Sequence, residues 1–228
     1  MSRISLYSRN VLRVVLPVFV FSALLGAAPV PRPVVASKVT QVILPSAMYG
    51  HNVVLGKVRI SPAAPPGGQE VFLDSSSSAL GVPDSIFVKE GQYYGEFEAV
   101  SDDVAAAKSA TVMAQTFEPG AQDTIQVKPL AVTSFVVDSS SGEGGLGQIN
   151  AVVKLNVPVA FDTPVTFTTS NNAAISAPTG IYIPAGSNQV EFFFTTHSVF
   201  VPMFAKITVI KNATSQYRTI KVKPGPSW

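Results

Sequence analysis

The sequence predicts an all-β protein made of two tandem β-sandwich domains. Two observations predict this fold: short strands of alternating character fill most of the chain, and the pattern of those strands occurs twice. Apolar and polar residues alternate in 57–60, 96–99 and 219–223, as expected for strands with one buried face. Clusters of Pro, Gly, Ser and Asn separate the strands and are typical of turns.

The internal repeat is visible at a constant offset of 95 residues. The pairs related by this offset are Pro83 and Pro178, Ile86 and Ile181, Val88 and Ile183, Gly91 and Gly186, Phe97 and Phe192, Ile125 and Ile220, Val127 and Val222, and Pro129 and Pro224. The first strands agree at an offset of 93, because Val39-Thr40 recurs as Val132-Thr133. A difference in loop length between two copies of one unit would produce this two-residue slip.

Each copy is predicted to contain about seven short strands. In the first copy they lie near 39–44, 52–60, 70–74, 86–88, 93–100, 109–116 and 123–128. In the second they lie near 132–137, 148–157, 164–169, 181–183, 188–195, 203–210 and 216–222. About seven strands in roughly 95 residues, without helices, indicate an immunoglobulin-like β-sandwich. One large barrel is the alternative, and the complete strand set in each copy argues against it.

The N-terminal segment is typical of a signal peptide. Arg3, Arg9 and Arg13 precede an apolar run at 14–25, which is shorter than the roughly 20 residues that a membrane-spanning helix needs. We expect cleavage after Ala36, and an uncleaved anchor is the alternative. The mature protein would then lie in the periplasm, at the cell surface or in the medium, with no membrane span.

The repeat and the signal together divide the chain into three parts. They are a signal peptide at 1–36, a first immunoglobulin-like repeat at 37–130 and a second at 131–228. The linker near 129–131 is short, and Pro129 stiffens it, so the two domains are expected to form a rod with limited bending.

Charge and cysteine content exclude several classes of function. The whole chain carries a net charge of +2, but 1–36 holds four Arg and no acid, so the remainder carries −2. No cluster of Lys and Arg is left to bind nucleic acid. The chain has no cysteine, which excludes disulfides and thiolate metal sites and favours a bacterial envelope or secreted protein.

The repeated hairpin resembles that of tandem bacterial immunoglobulin-like repeats of secreted and cell-surface proteins. The residues that carry the resemblance are Pro83, Ser85, Ile86, Val88, Gly91, Val127 and Pro129, and in the second copy Pro178, Ile181, Ile183, Gly186, Val222 and Pro224. Gly180 stands where the first copy has Ser85. The resemblance covers nearly all of 38–226 and implies a non-catalytic spacer, adhesion module or accessory domain.

The candidate chemical motifs are each interpreted as structural. His51 and His197 have no neighbouring ligand or acid, and the G-x-G-x-x-G at 142–147 precedes a strand instead of a helix. The acids at 102–103 and 138–143 are too sparse for calcium. The sequon at 212–214 matters only in a host that glycosylates. No catalytic, cofactor-binding or metal-binding residue is therefore expected.

Exposed aromatic residues of the second repeat are the candidate partner-binding site. Phe193 stands where the first repeat has Glu98, and Phe200 and Phe204 follow in an apolar connection. The alternative is that these side chains pack against the first domain or the sandwich edge. The partner is expected to be a protein or a second copy, since 37–130 carries −4 and 131–228 carries +2. A carbohydrate-binding protein and a two-domain periplasmic chaperone are the alternatives.

Overall fold

The computed structural model describes residues 36–117, 120–145 and 147–225. These residues form 18 strands and no helix, which confirms the predicted fold class. The described part of the chain accordingly has no helix that is long and apolar enough to cross a membrane. The predicted signal peptide lies outside the described residues, except for Ala36.

The first nine strands form two sheets. They are β1 (Lys38–Ile43), β2 (Ala47–Tyr49), β3 (Val53–Ser61), β4 (Gln69–Ser75), β5 (Leu80–Gly81), β6 (Ser85–Val88), β7 (Tyr94–Ser101), β8 (Lys108–Gln115) and β9 (Ala121–Lys128). One sheet has the order β1-β3-β7-β5 and the other the order β2-β9-β8-β4-β6. The pairings are antiparallel, except that β2 runs parallel to β9.

The last nine strands repeat this arrangement. They are β10 (Val132–Val137), β11 (Ser141–Glu143), β12 (Gln148–Leu155), β13 (Thr163–Pro164), β14 (Thr166–Thr169), β15 (Tyr182–Ile183), β16 (Gln189–Thr195), β17 (Met203–Lys211) and β18 (Thr214–Lys223). The sheets have the orders β10-β12-β16 and β11-β18-β17-β14, and β13 pairs with β15. A single bridge between Ile175 and Thr196 replaces the β5–β7 pairing of Leu80 with Ser101, 95 residues earlier.

Both halves have the strand order of an immunoglobulin-like sandwich. The first, third and seventh strands of the first half lie side by side in one sheet, and its last two strands lie beside its fourth in the other. The second half has the same order, except that two strands, β13 and β14, take the place of β4. Even a bulge recurs, between Val39 and Gln41 in β1 and between Val132 and Ser134 in β10. The described part of the chain therefore forms two tandem immunoglobulin-like sandwiches, β1–β9 and β10–β18.

Each sandwich buries its own hydrophobic core between its two sheets. Val58, Ile60 and Phe97 belong to the first core. Leu130 belongs to the second core, although the sequence places it at the end of the first repeat. Tyr49 of β2 also packs against that second core. The two cores are therefore separate, with Tyr49 as a contact from the first sandwich to the second.

The parallel strands occupy the same place in both sandwiches. In the first, Gln126 N donates to Ser46 O at 3.1 Å, and Gly50 N donates to Lys128 O at 2.9 Å. In the second, the corresponding bonds are from Lys221 N to Ser140 O at 2.9 Å and from Gly144 N to Lys223 O at 2.7 Å. Each parallel pair therefore joins the N-terminal part of a sandwich to its last strand.

One core position differs between the sandwiches. The ring of Phe97 in β7 covers Gly56 of β3, where an added Cβ would lie 2.3 Å from the ring. At the same register in the second sandwich, Phe192 lies opposite Ala151 and is only half-buried. The Cβ of Ala151 occupies the space that the ring takes in the first sandwich. Phe192 instead joins edge-to-face contacts with Phe167 and Phe194, at ring-centroid distances of 4.9 and 5.1 Å.

Candidate functional site

The three aromatic residues singled out from the sequence are all exposed, but they lie on different parts of the second sandwich. Phe193 lies on β16 and points outward from the sheet β10-β12-β16. Phe204 lies on β17 and points outward from the opposite sheet. Phe200, fully exposed, lies in the connection between them. Phe193 and Phe204 therefore belong to two separate surfaces and do not form one patch.

The apolar connection before β17 contributes partly to the core. Val199 is buried and Met203 packs against the second core, whereas Phe200 and Val201 are exposed. The alternative that this segment wraps the sandwich edge therefore holds for Val199 and Met203 and not for the phenylalanines.

A polar junction joins the two sandwiches and was not predicted from the sequence. At its centre Lys211, at the end of β17, is 5% exposed, and its Nζ donates a hydrogen bond of 2.5 Å to Asp103 Oδ2 in the first sandwich. The same Nζ donates to Pro164 O at 3.0 Å. A buried ammonium needs such partners because its transfer out of water is costly. The acid at 103, interpreted from the sequence as a solvated loop charge, is therefore an interdomain ion-pair partner.

Asn212 completes the contact to Asp103. Its Nδ2 donates to Asp103 Oδ1 at 3.0 Å and to Leu130 O at 3.1 Å. Asn212 begins the two-residue turn between β17 and β18 with a φ of 52°, a left-handed backbone that asparagine tolerates better than most residues. Both amide hydrogens of this sequon asparagine are engaged, so a glycan on Nδ2 would remove one of the two bonds.

His51 makes a second set of bonds across the junction. Its backbone has a φ of 53°, and its carbonyl oxygen accepts from Ala160 N at 2.8 Å. Its Nδ1 lies 2.9 Å from Thr163 Oγ1, which is buried and donates its only hydrogen to Phe161 O. The His51 Nδ1–H is therefore the donor to Thr163. His51, expected to be an isolated loop residue, in fact connects the two sandwiches.

The junction also changes the acidity of Asp103. Burial raises the pKa of Asp103, but the hydrogen bonds from Lys211 and Asn212 and the charge of Lys211 outweigh burial, so the net effect lowers the pKa. His51 adds a smaller lowering contribution. The carboxylate therefore stays ionised at neutral pH and keeps its ammonium partner.

The remaining chemical candidates stay apart from one another. His197 Nε2 lies 2.7 Å from Ser176 Oγ, and both side chains are exposed; among the described residues no carboxylate hydrogen-bonds this histidine. The G-x-G-x-x-G at 142–147 is followed by β12, a strand, as the sequence predicted. Within the described ranges no group of three or more His, Cys, Asp or Glu could hold a metal ion.

Comparison with known proteins gives likenesses to solved structures. No protein-family model matches the chain, and no curated protein matches it. The D0–D1 domains of intimin are 15% identical, with 82% of this chain and 99% of that chain covered and a TM-score of 0.33. The I9–I11 tandem of titin is 10% identical (84% and 66% covered, TM-score 0.43). The adhesin InvE of Yersinia pseudotuberculosis is 13% identical (82% and 58% covered, TM-score 0.39).

Proposed function

We propose that this protein is an exported, non-catalytic structural and binding module of the bacterial cell envelope, acting as a spacer or adhesion component. The observation that carries the proposal is the junction, in which the buried Lys211 binds Asp103 of the other sandwich. A fixed pair of sandwiches presents its surfaces in a constant relative orientation. That property serves a spacer or a binding protein.

The proposal includes the division of the chain into a signal peptide at 1–36 and repeats at 37–130 and 131–228. It places the mature protein outside the cytoplasm. Export is supported by the basic residues and the short apolar run of the N-terminal segment. To test it, the full chain is expressed, the cells are fractionated and the N-terminus of the product is sequenced. We expect a protein that begins near Ser37; an intact N-terminus on membrane-bound protein would contradict export with cleavage.

The proposal also assigns protein binding to the second sandwich. Exposed aromatic side chains are enriched at protein interfaces, and Phe193, Phe200 and Phe204 are more than half exposed. Phe193→Glu introduces the acid that the first repeat carries at the same position. Once a partner is identified from neighbouring genes, Phe193→Glu is compared with Phe204→Glu by calorimetric titration. Loss of binding in one variant identifies the sheet that binds, and unchanged binding in both would exclude Phe193 and Phe204.

A further inference from the structure

The outward face of the sheet β11-β18-β17-β14 combines exposed aromatic rings with lysines. We call Phe204, Lys206, Tyr217 and Lys221 the aromatic–lysine face. Lys206 Nζ lies 4.1 Å from the centroid of the Tyr217 ring, and Lys221 Nζ lies 5.8 Å from that of Phe204. Both rings are more than half exposed. The outward positions of β14, β17 and β18 hold three lysines, Lys206, Lys221 and Lys223, and no acid. Glu143 of β11 pairs with Lys223 at the edge of the same face, so the face carries a net positive charge.

In the corresponding sheet of the first sandwich, strand β4 carries two acids on its outward face. We call Glu70, Phe72, Asp74 and Met113 the acidic–apolar face. Phe72 lies between the two acids on β4, and Met113 on β8 pairs with Asp74. Phe72 is 41% exposed and Met113 is 43% exposed, and together with Asp74 they line a shallow cleft. The side chain of Glu70 accepts a hydrogen bond of 2.7 Å from Ser85 Oγ, which holds that carboxylate at the surface.

These features are specific to each sandwich and do not follow from the repeat. Positions 95 residues before Phe204, Lys206, Tyr217 and Lys221 hold Ser109, Thr111, Gln122 and Gln126. By strand register, Phe72 and Asp74 correspond to Thr166 and Thr168, because their partners Gln115 and Met113 correspond to Ile210 and Thr208. At the positions that form these two faces, each sandwich therefore has charged and large apolar side chains where the other has neutral polar or aliphatic ones.

We propose that the aromatic–lysine face of one molecule binds the acidic–apolar face of a second copy of this chain. The inference deepens the proposed function, since it names the partner of the second sandwich. The rings of Phe204 and Tyr217 would pack against Phe72 and Met113 and supply the apolar contact. Lys206 and Lys221 would approach Glu70 and Asp74. Complementary charges steer and orient such an encounter and are weakened by salt. A contact between unlike faces leaves one face of each type free, so it extends into a chain of copies or closes into a ring.

The test is sedimentation velocity of the purified mature protein over a range of concentrations at low and high salt. We expect association that weakens with salt. Lys206→Glu with Lys221→Glu, and separately Glu70→Lys with Asp74→Lys, should each weaken self-association by at least about tenfold. An equimolar mixture of the two double variants should associate again, because each retains one wild-type face and the reversed faces attract.

Three outcomes would overturn the inference: a wild-type protein that stays monomeric at low salt, double variants that associate like the wild type, or a mixture that fails to restore association. Val136→Glu is the control, because Val136 is exposed on the other sheet of the second sandwich, and this variant should not change self-association. Thermal unfolding of each variant verifies that it folds. Failure here leaves the rigid junction and export intact, since those are measured by NMR relaxation and by N-terminal sequencing.

Discussion

Lys211 is a charged side chain that is almost completely buried from solvent. It is 5% exposed, and its ammonium group is satisfied by Asp103 and by Pro164 O. Truncation to alanine leaves Asp103 with Asn212 as its remaining hydrogen-bond donor. We expect Lys211→Ala to lower the free energy of unfolding by about 2 kcal/mol, below the full cost of breaking a buried pair because Asp103 is partly exposed. Urea denaturation measures this change.

The chain contains its own control for that measurement. Lys57 and Glu96 form an ion pair of 2.9 Å on the surface of the first sandwich, with both side chains more than half exposed. Exposed pairs contribute little because water and salt screen them. Lys57→Ala should therefore leave the urea midpoint unchanged. Equal losses in the two variants would contradict the interdomain role of Lys211.

The lowered pKa of Asp103 predicts an acid-sensitive junction. A carboxyl whose pKa is lower in the folded protein stabilises the fold above its unfolded value, for which 3.8 is the reference, and loses that contribution as pH falls through the folded value. We expect the wild type to melt at a higher temperature than Asp103→Asn at neutral pH, and the two melting temperatures to converge as the pH falls below the reference value of 3.8 and through the lowered pKa. A constant difference across this range would contradict the prediction.

At the scale of strands, the contact between β3 and β7 depends on Gly56 of β3, which the ring of Phe97 on β7 covers. Gly56→Ala would place a methyl group into the ring of Phe97, which is 4% exposed. We expect a loss of about 1–2 kcal/mol, since the ring must move toward the half-buried position that Phe192 holds opposite Ala151. Chemical denaturation measures the loss. Gly81→Ala is the control: the nearest atom to its added Cβ is Val100 O at 3.7 Å, so no destabilisation is expected.

The longer strands were predictable because their side chains alternate. β3, β7 and β16 were each predicted within one residue at both ends, since one face of each is buried and the pattern has a period of two. β2 and β11 were missed, because three residues are too few to show a period. Ser101 and Thr196 are equivalent buried residues whose hydroxyls donate hydrogen bonds to backbone carbonyls. Neither residue belongs to a recognisable motif, so in the sequence only the offset of 95 residues relates them.

The junction lay beyond prediction from the sequence for a different reason. Asp103 and Lys211 are 108 residues apart, and an acid in a loop and a lysine at a strand end are common features that do not specify a pairing. Their meeting depends on how one sandwich docks on the other, which the repeat pattern does not encode. The difference between the repeats singled out Phe193, and the apolar connection singled out Phe200 and Phe204, whereas the placement of Phe193 and Phe204 on two different sheets required the strand order.

At the scale of the whole molecule, the junction predicts that the two sandwiches tumble together. Bonds from His51, Asn212 and Lys211 cross between them, and Tyr49 packs on the second core. We expect NMR relaxation to give the same rotational correlation time for both sandwiches in the wild type. In Asp103→Ala with Lys211→Ala, the two values should diverge. Different correlation times in the wild type would contradict a fixed junction and, with it, the proposed spacer role.

The parallel pairing of β2 with β9 and of β11 with β18 determines how the protein responds to tension. Each pair joins the N-terminal part of a sandwich to its last strand, so pulling on the two ends draws these strands in opposite directions along their length. The hydrogen bonds between them, such as Gly50 N to Lys128 O, are then loaded simultaneously in shear and do not open one after another. Both sandwiches contain such a parallel strand pair, so each of them is expected to resist a force applied along the chain.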